Sequence, residues 1–280
     1  MAKRKKRYWF ILGILIFLAY VFAAAQPIPK ETFLTARWLS SLESGIPVSL
    51  DTYSLDRNSG DPDLLIPFQL GGRYGYIADT GEFSINQIQK NYTSISENFW
   101  SEYEPFPTVL EINDTRGRKV MEINDPDGYP FFLDDKFFLI GKGQDTVYAL
   151  DDNGNIKWVY EFPAPLTCID AAAGFVLAGT LDGTIELIDS DGKQFIPPYE
   201  PGGSRLAVIL GCAISKDASR LAIISGIDDQ RFLLLEKTGD RYRVVYHEFL
   251  SGGYRRPVLG RCVRGSPGQG TCDFLRRPFL

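Results

Sequence analysis

The chain has 280 residues with 44% hydrophobic and 23% charged side chains, the balance of a folded globular protein and too apolar for a disordered one. Its formal charge is −5, yet five of the first seven residues and six arginines beyond residue 254 are basic. The stretch between is therefore acidic, which excludes a nucleic-acid-binding body.

Residues 1–25 read as a membrane anchor or a signal segment. Lys3, Arg4, Lys5, Lys6 and Arg7 precede an uncharged apolar run from Tyr8 to Ala25. Eighteen residues at ~1.5 Å per residue reach ~27 Å, enough for a thin hydrocarbon core. Such an anchor keeps its basic end in the cytoplasm and places the body outside it. The alternative is cleavage near Ala25, after the small residues Ala23, Ala24 and Ala25, with release to the periplasm.

Residues 26–63 read as an amphipathic helix followed by a polar linker. Pro27 and Pro29 close the apolar run, and Leu34, Trp38 and Leu42 fall at helical spacing within Lys30 to Ser44. Gly45 to Asp63 is rich in Ser, Asp, Gly and Pro.

From Leu64 to residue 258 short apolar runs alternate with turn residues, and no helical period appears. Five hairpin turns recur at Gly81, Gly117, Gly154, Gly192 and Gly239, separated by 36, 37, 38 and 47 residues. The last interval holds the insertion Pro197 to Gly203. A period near ~40 residues with about four strands each is the pattern of a β-propeller, so the fold class is all-β with about five recognisable four-stranded blades in an incomplete ring. One blade is expected over Leu166–Ile169, Phe175–Gly179, Thr184–Ile188 and Lys193–Ile196, and the next over Leu206–Ser215, Arg220–Ser225, Phe232–Glu236 and Arg241–His247.

The segment Ala149-Leu150-Asp151-Asp152-Asn153-Gly154-Asn155-Ile156-Lys157-Trp158 resembles the PQQ-type propeller repeat, A-x-D-x-x-T-G-x-x-x-W, with Asn153 in place of Thr. Ile188 to Phe195 is a partial copy, with Phe195 near the place of the Trp. The resemblance implies that Trp158 and Phe195 dock one blade on the next, with Trp158 buried. The family holds both quinoprotein dehydrogenases and the BamB-type scaffold of outer-membrane protein assembly, and usually has seven or eight blades.

Chemistry-bearing patterns are sparse. His247 is the one histidine, and no Gly-x-Ser-x-Gly elbow accompanies it. Cys168, Cys212, Cys262 and Cys272 form no CxxC pair. Asp189-Ser190-Asp191-Gly192 resembles a fragment of a calcium loop but lacks the third acidic position and the distal Glu. No catalytic residue, metal ligand or cofactor is assigned. Phe99, Trp100, Tyr103 and Phe106 form an aromatic cluster with two readings: an exposed binding loop, or a strand and loop wedged between blades.

The pattern stops at residues 259–280, an irregular stretch dominated by Arg, Gly, Pro and Cys. It reads as a basic tail or as a non-native end that cuts off a longer propeller. The expected function is a protein-binding or scaffold module of the bacterial cell envelope. It is tethered to the inner membrane through residues 8–25, with an envelope protein as partner and no nucleic acid. The alternative is a quinoprotein-type oxidoreductase or carboxylate-based hydrolase using the central channel.

Overall fold

The computed structural model describes residues 8, 12–20, 38–43, 47–49 and 64–250. Residues 8 and 12–20 are helical, and 9–11 and 21–25 lie outside the described residues. Among the described residues no helix is long and apolar enough to cross a membrane.

Trp38–Ser40 is a strand, β1, paired antiparallel with β2, Pro47–Ser49. This corrects the helix expected there. The backbone groups of β1 find partners in β2, and Asn86 Nδ2 donates to Leu42 O at 2.9 Å, so tertiary pairing overrides the helical spacing. Residues 30–37 and 50–63 lie outside the described residues, as do 251–258 and the tail 259–280.

Residues 64–250 fold into five consecutive antiparallel sheets. The first holds β3 (Leu65–Leu70), β4 (Arg73–Ala78) and β5 (Phe83–Ile88). The second holds β6 (Tyr92–Ile95), β7 (Phe99–Tyr103), β8 (Val109–Asp114) and β9 (Lys119–Asn124). The third holds β10 (Gly128–Leu133), β11 (Lys136–Gly141), β12 (Thr146–Leu150) and β13 (Ile156–Glu161). The fourth holds β14 (Leu166–Ala172), β15 (Phe175–Thr180) and β16 (Ile185–Ile188). The fifth holds β17 (Ile209–Ile214), β18 (Arg220–Ser225), β19 (Arg231–Thr238) and β20 (Arg241–Phe249).

Each sheet is a meander in chain order, and the first strands of successive sheets adjoin one another, as the blades of a propeller do. No pairing joins the fifth sheet to the first, so the ring is not closed among the described residues. In the fourth blade the strand expected at Lys193–Ile196 is reduced to isolated bridges, Ile188 with Gln194 and Ile185 with Tyr199. Pro197 and Pro198 sit between these bridges and offer no N–H to a ladder.

Alternation along each strand sends one set of side chains to the preceding blade and the other to the following one. In the fourth blade Val176, Ala178 and Ile188 pack with Phe138, Val147 and Ala149 of the third, while Leu177, Ile185 and Leu187 pack with Cys212, Ile223 and Leu233 of the fifth. A central strand buried on both faces reads as a continuous apolar run, as Phe175–Thr180 does. Leu110, Ile112 and Met121 meet Phe132, Phe137 and Leu139 at the seam of the second and third blades. Tyr74, Tyr76 and Ile85 meet Trp100 at the seam of the first and second.

Candidate functional site

The hairpin glycines Gly81, Gly117, Gly154, Gly192 and Gly239 all have φ between +65° and +88°, the left-handed region that glycine enters without a Cβ penalty. In three of these turns an aspartate three residues earlier closes the loop. Asp114 Oδ1 accepts from the N–H of Arg116 and Arg118, Asp151 Oδ1 from Asn153 and Asn155, and Asp189 Oδ1 from Asp191 and Lys193. Hydrogen bonds from Asn155, side chain first and backbone second, hold the Asp151 carboxyl below the usual carboxylate range. These carboxylates are spent on turn backbone. Among the described residues no group of three or more His, Cys, Asp or Glu side chains is placed to hold a metal ion. His247 is exposed on β20, next to the Phe249 ring.

Trp158 lies on β13 and covers Gly192 of the next blade, where an added Cβ would stand 2.8 Å from the Trp158 Cβ. It is half-buried rather than enclosed, and its ring lies 6.2 Å from that of Phe138. Phe195, also half-buried, stacks edge-on with Phe175 at 4.9 Å and lies under Lys237 Nζ of the fifth blade at 5.1 Å.

The aromatic cluster divides between two roles. Trp100 is buried on β7, 5.3 Å from the Tyr74 ring, and its indole N–H donates to Asp114 O at 2.9 Å. Phe99 faces the other way and packs on Phe137 at 4.8 Å. These two wedge between blades. Phe106, in contrast, is 78% exposed. Tyr103 ends β7 and forms the middle of a ring ladder with Tyr92 at 6.1 Å and Tyr129 at 5.7 Å, a contact that spans the second and third blades. Tyr129 Oη donates to Pro105 O at 3.1 Å and so pins the Phe106 loop.

Beside this loop β7 and β8 separate. They pair only at Phe99 with Asp114 and Trp100 with Asn113. Beyond those pairs an open cleft of about 400 Å³ lies between the strands, lined among others by Glu102, Tyr103, Glu104, Thr108, Val109 and Glu111. Glu102 is fixed: its Oε1 accepts from the N–H of Lys90 and Asn91 at 2.9 Å, and its Oε2 lies 3.0 Å from Tyr74 Oη. Burial first, and Glu102 second, push the Tyr74 hydroxyl well above its ordinary value. The cleft was not legible in the sequence, because its width depends on how β7 and β8 diverge. The proline pair Pro105 and Pro107 around Phe106 was the available signal for a strand connection that leaves the ladder.

A family model for a beta-propeller protein matches residues 1–265. The chain belongs to the beta-propeller protein family. An uncharacterized protein of Treponema pallidum (strain Nichols) is 27% identical to this propeller over 257 residues, 92% of this chain and 68% of that protein. Among solved structures, Kluyveromyces lactis Hsv2p has a TM-score of 0.52 at 14% identity, covering 71% of this propeller and 70% of that chain. A chain of the mitotic checkpoint complex has a TM-score of 0.50 at 10% identity, covering 68% and 62%. BamB from Moraxella catarrhalis has a TM-score of 0.46 at 18% identity, covering 66% and 64%. This propeller therefore matches just under two thirds of the length of BamB. Likeness at these identities is likeness of fold.

Proposed function

We propose that this propeller is a protein-binding scaffold module of the bacterial cell envelope, and that it holds its partner at the cleft beside the Phe106 loop. One observation carries the reading: a 78% exposed phenylalanine stands on a loop pinned by Tyr129, next to an open cleft and a tyrosine ladder. Exposed aromatics on a rigid frame are the residues from which protein interfaces draw most of their binding energy. Protein assembly also has a precedent in this fold, since a chain of the mitotic checkpoint complex shares it. The tether to the inner membrane rests on the uncharged run 8–25 behind five basic residues, part of which is helical.

A photo-crosslinker at position 106 tests the site in intact membranes. The expected result is one discrete crosslinked protein that disappears when Tyr92 and Tyr103 are replaced by Ala. A crosslinker at exposed Val245 serves as control. Equal capture from both positions, or none from position 106, overturns the assignment. Protease accessibility of the body in spheroplasts tests the location, and a body protected in spheroplasts and digested only after lysis overturns it.

A further inference from the structure

At the seam of the fourth and fifth blades the first strands, β14 and β17, are tied in step. Thr167 Oγ1 donates to Ile209 O, and Ile214 N–H donates to Asp170 Oδ2 at 2.9 Å. Between these ties lie Cys168 on β14 and Cys212 on β17, two free cysteines of one apolar cluster, Cys212 within it and Cys168 packed against it. Both sulfurs lie against β15. Cys212 Sγ is 3.5 Å from Leu177 O, and Cys168 Sγ is 2.7 Å from where a Cβ on Gly179 would stand. Gly179 thus leaves room that the Cys168 sulfur occupies. A Cβ there would also meet the Ile209 side chain at 2.4 Å. Two thiols from different blades share one small space, with a side-chain-to-backbone hydrogen bond on either side.

We propose that Cys168 and Cys212 are an oxidisable dithiol, and that a small-molecule disulfide converts it to a cystine joining the fourth and fifth blades. The exposures set the order of events. Cys168 is half-buried and open to a small reagent, whereas Cys212 is buried. The Cys212 thiol is pushed well above its ordinary value, first by the neighbouring Cys168 thiol and then by burial, so it remains a thiol until its neighbour reacts. The Cys168 thiolate attacks one sulfur of the disulfide RSSR, forming a mixed disulfide and expelling RS⁻, which takes up a proton. Cys212 then attacks the Cys168 sulfur, loses its proton and expels the second RS⁻, again protonated to RSH. Two protein thiols are oxidised and one RSSR is reduced to two RSH. The bond closes the chain between residues 168 and 212 and fixes the last seam among the described residues.

The test treats the folded full chain with oxidised glutathione, quenches in acid, alkylates free thiols and maps peptides by mass spectrometry. The expected product is a linked peptide pair containing Cys168 and Cys212, with an upward shift in Tm that dithiothreitol reverses. In C212S the reaction stops at a glutathione adduct on Cys168, and in C168S the folded chain leaves Cys212 unmodified. Full recovery of both residues as alkylated thiols overturns the proposal, and so does a linked pair that forms only in urea. A glutathione adduct on Cys212 in folded C168S, at the rate seen for Cys168 in C212S, overturns the order of attack.

Discussion

Replacing Gly192 by Ala tests whether Trp158 fastens the third blade to the fourth. Two costs arise, and they can be separated. Gly192 has φ +77°, and placing an L-residue in that left-handed conformation costs about 1–2 kcal/mol. The new Cβ would also stand 2.8 Å from Cβ and Cγ of Trp158 and 3.0 Å from Cδ2, an overlap that adds about 1–3 kcal/mol of the kind measured for overpacked cores. Gly239 supplies the control, since its φ is +65° but nothing lies within 4 Å of its missing Cβ. G239A therefore carries the conformational cost alone, about 1–2 kcal/mol, while G192A reaches about 2–5 kcal/mol on the sum of both. Trp158→Ala alone falls below the ~3–5 kcal/mol of a fully buried aromatic because the ring is half-exposed. In the double variant the overlaps with Cγ and Cδ2 vanish while that with Cβ, which alanine keeps, remains, so the two changes together cost less than their sum by a part of that overlap term, about 1 kcal/mol. Guanidinium unfolding followed by far-ultraviolet circular dichroism reads all four proteins without depending on the indole. Equal midpoints for G192A and G239A, or strict additivity of G192A with W158A, would falsify the docking role.

Other outcomes follow from the same contacts. Trp100→Ala removes a buried ring and its hydrogen bond to Asp114 O, and lowers stability by about 3–5 kcal/mol in the same titration; a loss under about 1 kcal/mol would show that the first and second blades do not depend on this wedge. Tyr160→Phe takes a hydroxyl from the buried Glu186 carboxylate, leaves Gln194 as its partner, and costs about 1–3 kcal/mol; Tyr160→Phe with Glu186→Gln should recover part of that loss. The Asp217 carboxyl is held at about 2, first by the Ser215 hydroxyl and then by the Ser219 N–H. Its folded value lies below the unfolded one, so the stability it contributes is present above about pH 4 and is lost as pH falls towards about 2. Asp217→Asn should flatten Tm against pH in that window, and an unchanged acid limb would refute the assignment.

The turns were readable from the chain because their chemistry is local. Asp114, Asp151 and Asp189 each precede a glycine by three residues, and the carboxylate and the positive φ act within five residues of each other. Strand positions such as Arg220–Ser225 were readable for the same reason, since a doubly buried strand announces itself as an apolar run. The β1–β2 pair was not. Leu34, Trp38 and Leu42 imitate a helical face, and the partner strand is three residues long and begins with a proline. Nor was the role of the aromatic cluster, although the means to divide it were present. Phe99 and Trp100 are neighbours on a strand and so must face opposite sides, which assigns one to each adjoining blade and leaves Phe106 outside. The Cys168–Cys212 contact links residues on different blades and has no local signature.

Turn and seam obey different rules in this molecule, and that difference says where its individuality lies. The turns repeat one solution, with the same carboxylate geometry in the second, third and fourth blades. The polar ties at the seams do not repeat. Tyr74 of β4 meets Glu102 of β7 between the first and second blades, whereas Tyr160 of β13 meets Glu186 of β16 between the third and fourth. The fourth and fifth blades use Thr167 and Asp170 instead, with the two cysteines packed beside them. A repeat sequence supplies a hairpin that works wherever it is copied, because the partners it needs are carried within it. A seam needs two different blades to agree, so each is solved with its own residues. The parts with a claim to function, the widened cleft of the second blade and the dithiol of the last described seam, both lie where the repeat stops dictating the side chains.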